Sequence, residues 1–520
     1  MSERLRSFWS RHPILREVMI WAIPALLVGA VLRGLMLSYL PYAYWGSDSR
    51  SYYSFAHKLL SDGYISLDEK RRFLYPIFMV PVSLLPGAPL RWLAWLQHGF
   101  GLLTLLPLAY VVRKSFVHWR WWIVPVTVLY AGLPVILWYE HELLGETIMF
   151  AGVVWAFAGW CAWVSEERRA RAEQLFWWFF VPFALVILTK PSARFFWPGL
   201  LLGLLAVQAW RRLGRKQWVA LGLLLVVTLF VGSKKQGAWL LYVATFPLTN
   251  FDSPLHHEYK AEVRDMIAPL RQNIDAYYLL DGGPFAFLEA PGAQDELPLF
   301  KALGSDEKKK ARIYMDLAKE AILSNPGLFL YLGAQRVIAS ANISEFKEDR
   351  FTGDFYVERF ERTHAEAITK KNSPVRMLFA LPKDKPVPAY PEFSRMLSPA
   401  PESWMARTVQ AWVRGYEAAS DLVRMPQDGP EETRSIRLAR PTLLGLWLCL
   451  GIGLSLLPRY HMTLGVWMMM ALSYLFGVFL FAGINPRYFG AAWPVLIPLL
   501  AVPADVLVRM IASRVRRRAQ

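Results

Sequence analysis

A carboxylate, a set of cations and an apolar surround are what it takes to let a hydroxyl displace a phosphate-bearing leaving group, and this chain carries all three. Asp48 lies in YAYWGSDSRSYYSFAHKLLSDGYISLDEKRRFLYP, from Tyr42 to Pro76, directly after the first long apolar run. A carboxylate placed there can take the proton of an attacking hydroxyl. Cations to meet a departing phosphate recur along the chain: Arg71 and Arg72 ahead of Tyr75-Pro76, Lys190 and Arg194 in TKPSAR, and Arg487 beside Tyr488 in the Asn485-Pro486-Arg487-Tyr488 turn. Lysine offers a point charge and arginine a fork. In WYEHELLGETIMF, Glu146 directly precedes an apolar helix and gains from its positive dipole end. Glu140 and Glu142 read more simply as acids that solvate a tight turn.

Plainer roles accompany these. Asp48 also suits an N-cap, because Tyr52, Phe55, Ala56, Leu59 and Leu60 form one face of a helix that follows it and can lie along the interface. Lys190 and Arg194 also suit interfacial snorkelling. His141 and Glu142 are adjacent, and no HExxH pattern occurs, so a zinc site at Glu140, His141, Glu142 and Glu146 is not expected. A divalent cation such as Mg, Mn or Ca, held by Asp48 and a substrate phosphate, is compatible with the pattern, since hard cations need few protein oxygens when the substrate supplies others.

Asp48 after the first crossing, an aromatic-rich amphipathic helix, Gly63, and Arg71, Arg72, Tyr75 and Pro76 together resemble the GT-C superfamily of polyprenyl-phosphate-sugar glycosyltransferases. That group includes protein O-mannosyltransferases and the lipid A aminoarabinose transferases. The resemblance implies a seven-helix module with a long first outer loop, an acidic residue near Glu146, and a basic residue and proline near Lys190. It also implies a polyprenyl-phosphate-linked sugar donor.

The composition agrees with a membrane setting. Over 520 residues the hydrophobic content is 55%, which marks an integral membrane chain rather than a large soluble one. The net charge of +17 comes from basic residues in short loops beside apolar runs, so their partner is the anionic membrane face and not nucleic acid. Cys161 and Cys449 both fall in apolar runs, which leaves no disulfide framework. The basic N-terminus precedes a first helix that reads as retained.

Crossing-length apolar runs extend from Val18 to Leu40, Trp92 to Val112, Trp121 to Tyr139, Thr147 to Val164, Phe176 to Thr189, Phe195 to Trp210, Trp218 to Val231, Leu443 to Leu457, Met462 to Phe481 and Tyr488 to Val508. The run from Phe73 to Leu90 carries Pro76, Pro81, Pro86 and Pro89 and is read as membrane-associated within the first outer loop. With that choice Arg113, Lys114, Arg120, Arg168, Arg169, Arg171, Arg211, Arg212, Arg215, Lys216, Arg459 and the Arg-rich C-terminus lie inside. The short outer loops then hold only Lys190, Arg194 and Arg487.

The expected architecture is therefore an all-α polytopic membrane protein of about ten transmembrane helices. Residues 1–232 form a GT-C-like module with a first outer loop at 41–91, residues 233–440 an α-rich or mixed extracytoplasmic domain, and residues 441–520 three further crossings and a basic tail. Lys308 to Ser324 and Ser403 to Val423 are expected helices, and Leu328 to Ala341 an interfacial one. The expected function is inverting transfer of a sugar from a polyprenyl-phosphate donor to an acceptor hydroxyl on a lipid, glycan or protein. Asp48 would be the base and Glu146 a second catalytic acid. The expected place is the periplasmic face of a bacterial inner membrane, with both termini cytoplasmic. A lipid-linked saccharide ligase and a transporter or flippase are the rivals; no internal repeat supports the latter.

Overall fold

The computed structural model describes residues 7, 9–10, 12–46, 49–63, 74–116, 119–230, 238, 241–242, 244–272, 306–342, 351–352, 355, 402–423, 443–482 and 490–519. Every regular element among them is helical. Lipid dictates this, because it cannot hydrogen-bond a peptide group and a spanning segment must satisfy its backbone internally.

The chain begins with α1 (Pro13–Tyr39), followed by α2 (Ser49–Asp62), α3 (Leu74–Ser83), α4 (Pro89–Leu103), α5 (Leu105–Ser115), α6 (Ile123–Ala131), α7 (Pro134–His141), α8 (Glu146–Val164) and α9 (Arg169–Thr189). Next come α10 (Phe196–Ala206), α11 (Arg215–Phe230), α12 (His257–Gln272), α13 (Glu307–Ser324), α14 (Pro326–Asn342) and α15 (Trp404–Val423). The last three are α16 (Leu443–Ser455), α17 (Val466–Ala482) and α18 (Trp493–Ala519).

Five stretches among the described residues are long and apolar enough to cross a membrane: α1, Pro89–Ser115, α8, α9 and Trp493–Val515. A sixth would be the pair Arg120–Ala131 and Pro134–His141, bent by 51° at its break. Of the other apolar runs, α10 has 11 residues, α11 has 16 and α16 has 13. At ten residues α3 is about 15 Å long, half of what a crossing requires.

The bundle is centred on α8, which is buried on nearly every side. It packs along α9 through Trp160, Trp163, Phe176, Phe179 and Phe183, while α10 packs on α17. Outward faces carry exposed apolar residues such as Leu27, Trp178, Leu202 and Leu223, the surface a helix offers to lipid. A second, smaller core gathers Tyr242, Phe246, Tyr259, Val263, Leu317 and Phe329. Helix α14 belongs to both cores: Phe329 and Leu332 enter the small one, whereas Val337 packs on the large one beside α17. It therefore joins the smaller core to the bundle.

The break between α6 and α7 follows from Pro134, which has no N–H to continue the ladder. The carbonyl of Gly132 is left without a helical partner, and Trp412 of α15 supplies one, its indole Nε1–H donating at 2.6 Å. Helix α15 reaches that point because Ala406, Val409 and Val413 form a buried stripe packed along α1. The Trp412 ring fills the space that a Cβ on Gly132 would occupy. Trp412→Phe keeps the ring and removes the donor, and we expect it to lower stability by about 1–3 kcal/mol, read as a lower unfolding midpoint in micelles. An unchanged midpoint would show that the freed carbonyl finds another partner.

Candidate functional site

Glu146 opens α8, with Gly145 at the N-cap, so its carboxylate sits at the positive end of that helix dipole. Lys190 is the first residue after α9, in extended backbone ahead of Pro191. Because α8 and α9 are antiparallel neighbours, these two positions meet: the Lys190 ammonium donates to the Glu146 carboxylate, and the side chains are 6% and 1% exposed. Thr189 and Tyr75 lie at the same spot, Thr189 Cγ2 3.0 Å and Tyr75 Cβ 3.6 Å from where a Gly145 Cβ would stand.

Tyr75 points inward. Its hydroxyl donates to Gln97 Oε1 at 2.6 Å, and Gln97 Nε2 donates to the carbonyls of Glu140 and Glu142 at 2.9 and 2.8 Å. Burial, together with the Tyr52 hydroxyl and the Glu146 and Glu142 carboxylates, holds the Tyr75 hydroxyl well above the usual range of a phenol, so it stays a donor. Tyr75 thus straps the second outer turn.

The first outer loop is stitched to that same turn. Tyr44 N–H donates to the His141 carbonyl at 2.6 Å and Leu143 N–H to the Tyr44 carbonyl at 2.9 Å, giving a parallel bridge between Tyr44 and Glu142. Ser49 Oγ donates to the Leu143 carbonyl at 3.1 Å and accepts the Gly46 N–H at 2.9 Å. The Glu142 carboxylate fills the space beside Gly46 that a Cβ would take. Beside this seam, Phe351 and Phe355 pack on Trp138 and Tyr44, and the Phe351 carbonyl accepts the Tyr39 hydroxyl at 2.8 Å.

Glu140 does not solvate a turn, contrary to the simpler reading of its sequence. Glu140 is 1% exposed and accepts a fork from Arg33 of α1, Nε to Oε2 at 2.7 Å and an η nitrogen to Oε1 at 2.6 Å. Burying a carboxylate in such a place is tolerable only with that pairing. His98 Nδ1 donates to the same carboxylate at 3.1 Å, and His98 Nε2 shares a 2.9 Å hydrogen bond with His141 Nδ1. Gly101 leaves the room, since a Cβ there would overlap the Glu140 carboxylate. Arg33, Gln97 and His98 are the residues the sequence reading passed over. Their signal was an ionisable or amide side chain inside an apolar run, where such groups are costly to bury.

Among the expected site residues, Tyr75, Glu146 and Lys190 are brought together. Arg194 is exposed, with its guanidinium 5.1 Å from the Phe195 ring centroid, and does not share the Lys190 pair. Asp48, Arg71, Arg72, Arg487 and Tyr488 lie outside the described residues, although Gly46 and Ser49 place the ends of the short stretch that carries Asp48. Among the described residues no group of three His, Cys, Asp or Glu side chains is placed to hold a metal ion.

No family model matches this chain, and no curated protein does. Among solved structures, 95% of it superposes on 51% of the Archaeoglobus fulgidus oligosaccharyltransferase in complex with Zn and sulfate, at 14% identity and TM-score 0.38. The apo form of that protein gives 96% and 52% coverage at 14% identity and TM-score 0.39. ArnT from Cupriavidus metallidurans, bound to undecaprenyl phosphate, gives 92% and 77% coverage at 13% identity and TM-score 0.31. The chain spans about half the length of the archaeal structures. Superpositions this loose carry no weight for function, which is argued from the residues of the site.

Removing one partner of the Arg33–Glu140 pair leaves a buried charge. Arg33→Met should cost about 3–5 kcal/mol, and Arg33→Met combined with Glu140→Leu should recover most of it. Unfolding titrations of the two single variants and the double variant measure the coupling, and additive losses would mean that the pair is screened.

Proposed function

We propose that this chain is a membrane glycosyltransferase of the GT-C kind. It transfers a sugar from a polyprenyl-phosphate donor to a hydroxyl of a lipid, glycan or protein acceptor, at the outer face of a bacterial inner membrane with both termini in the cytoplasm. The observation that carries this reading is the buried Lys190–Glu146 pair at the turn to which the Asp48 loop is bonded. A buried ammonium is tolerable beside a carboxylate partner, which Glu146 supplies here. An ammonium has three N–H donors, so Lys190 can keep Glu146 and donate to a phosphate oxygen as well.

In this mechanism the acceptor oxygen attacks the anomeric carbon as Asp48 takes its proton. The bond from that carbon to the phosphate oxygen breaks, and the electron pair leaves with the lipid phosphate. One positioned carboxylate suffices for this inverting displacement. Lys190 stabilises the charge that develops on the phosphate, Arg71, Arg72, Arg194 and Arg487 add cations around it, and Tyr488 lines the same side. Glu146 acts as the counter-ion of Lys190. A divalent cation on Asp48 would add positive charge at the phosphate; the described residues bring no three-ligand set to it, and no step runs through it.

The test is transfer from a panel of radiolabelled polyprenyl-phosphate sugars to crude membrane acceptors, using purified full-length protein. Asp48→Ala should lower turnover by about 10²–10⁴, and Lys190→Ala by about 10²–10³. Absence of transfer and of sugar release from every donor, with intact donor bound, would favour a transporter or a ligase of whole lipid-linked glycans.

A further inference from the structure

The steps above leave four buried ionisable residues without a role. Arg33, Glu140, His98 and His141 are 3%, 1%, 2% and 0% exposed and lie on α1, α7 and α4. A pair serving only to hold α1 to α7 would be complete with Arg33 and Glu140. Arg33 already satisfies both carboxylate oxygens and also donates to the carbonyls of Gly29 and Ala131, each at 3.2 Å. Two histidines nevertheless extend the chain of hydrogen bonds, at a cost in desolvation.

The extension leads to the first outer loop. The His141 ring is bonded to His98, and its backbone carbonyl accepts the Tyr44 N–H at 2.6 Å. One residue on, Glu142 pairs with Tyr44 and presses on Gly46; next, Leu143 holds Ser49. Contacts from His141, Glu142 and Leu143 thus grip the loop at Tyr44, Gly46 and Ser49, on both sides of Asp48. The other end of the network is fixed in the bundle, since Arg33 lies six residues before the end of α1, about 9 Å along the axis.

We propose that Arg33, Glu140, His98 and His141 are positioning residues that hold the loop at Tyr44, Gly46 and Ser49, the residues on either side of Asp48. The ion pair fixes Glu140; the Glu140 carboxylate fixes the His98 ring, which must donate Nδ1–H to it; and His98 fixes His141 against the loop. This assignment rests on the glycosyltransferase reading only for what the loop does, not for how it is held.

The experiment combines hydrogen–deuterium exchange with transfer kinetics on full-length protein in nanodiscs. His98→Phe fills the ring's space and severs both its nitrogen contacts. His141→Phe cuts the chain only at the loop and leaves Arg33, Glu140 and His98 intact, so it serves if His98→Phe fails to fold. Both should speed exchange in peptides covering residues 42–53 about tenfold or more while residues 146–189 stay as in wild type. Turnover should fall about 10²-fold with donor KM nearly unchanged, as expected for a misplaced catalytic group. Arg33→Lys, which keeps the charge and loses the fork, should fall between these variants and wild type. Unchanged exchange in 42–53 in a folded His141→Phe protein overturns the proposal, as does exchange that rises equally throughout the bundle. If wild type transfers no sugar from any donor, the functional reading fails, and the exchange measurement still decides the role of the network.

Discussion

The forked contact between Arg33 and Glu140 is the constraint on which the outer end of the bundle depends. Two charges in an apolar interior are tolerable only together and only in good geometry. Their pairing ties the upper part of α1 to the end of the broken α6–α7 span. His98, Gln97 and, through Gln97, Tyr75 are built onto that joint, so α3 and α4 are drawn to the same carboxylate-bearing turn. Without it, neither the second outer turn nor the loop bonded to it has a reason to hold its place.

The same turn connects the polar chemistry to the rest of the chain. Glu142 and Leu143 pair with the first loop, and Glu146 begins α8 and meets Lys190 at the end of α9. Residues far along the chain also return to this end: Phe351 and Phe355 pack on Trp138 and Tyr44, and Trp412 satisfies the Gly132 carbonyl freed at the break before Pro134. A bend inside an apolar layer is costly unless every freed backbone group finds a partner. Here that partner comes from a helix far along the chain, which completes the bundle.

Much of the fold was legible locally. Unbroken apolar runs marked α1, α8 and α9, and the candidate helices at Lys308 to Ser324 and Ser403 to Val423 match α13 and α15 within a residue or so. The position of Glu146 before an apolar run led directly to its place in the first turn of α8. Glu140 was not legible in the same way: beside His141 and Glu142 it looked like part of a solvated turn, and its role is set by an arginine 107 positions away. Tyr75 likewise matched a pattern that suggested contact with a phosphate, yet its hydroxyl is committed to Gln97.

By itself, the sequence determined that the chain is helical and membrane-bound, because lipid accepts no unpaired backbone and the length of an apolar run can be read residue by residue. It also determined which ionisable residues adjoin apolar runs, and so which ones have to find partners. Tertiary structure alone decided the partners: Arg33 with Glu140, Glu146 with Lys190, Trp412 with Gly132. Such pairings are chosen by which helices stand side by side, and a hydrogen bond between residues tens to hundreds of positions apart leaves no period in the sequence that joins them.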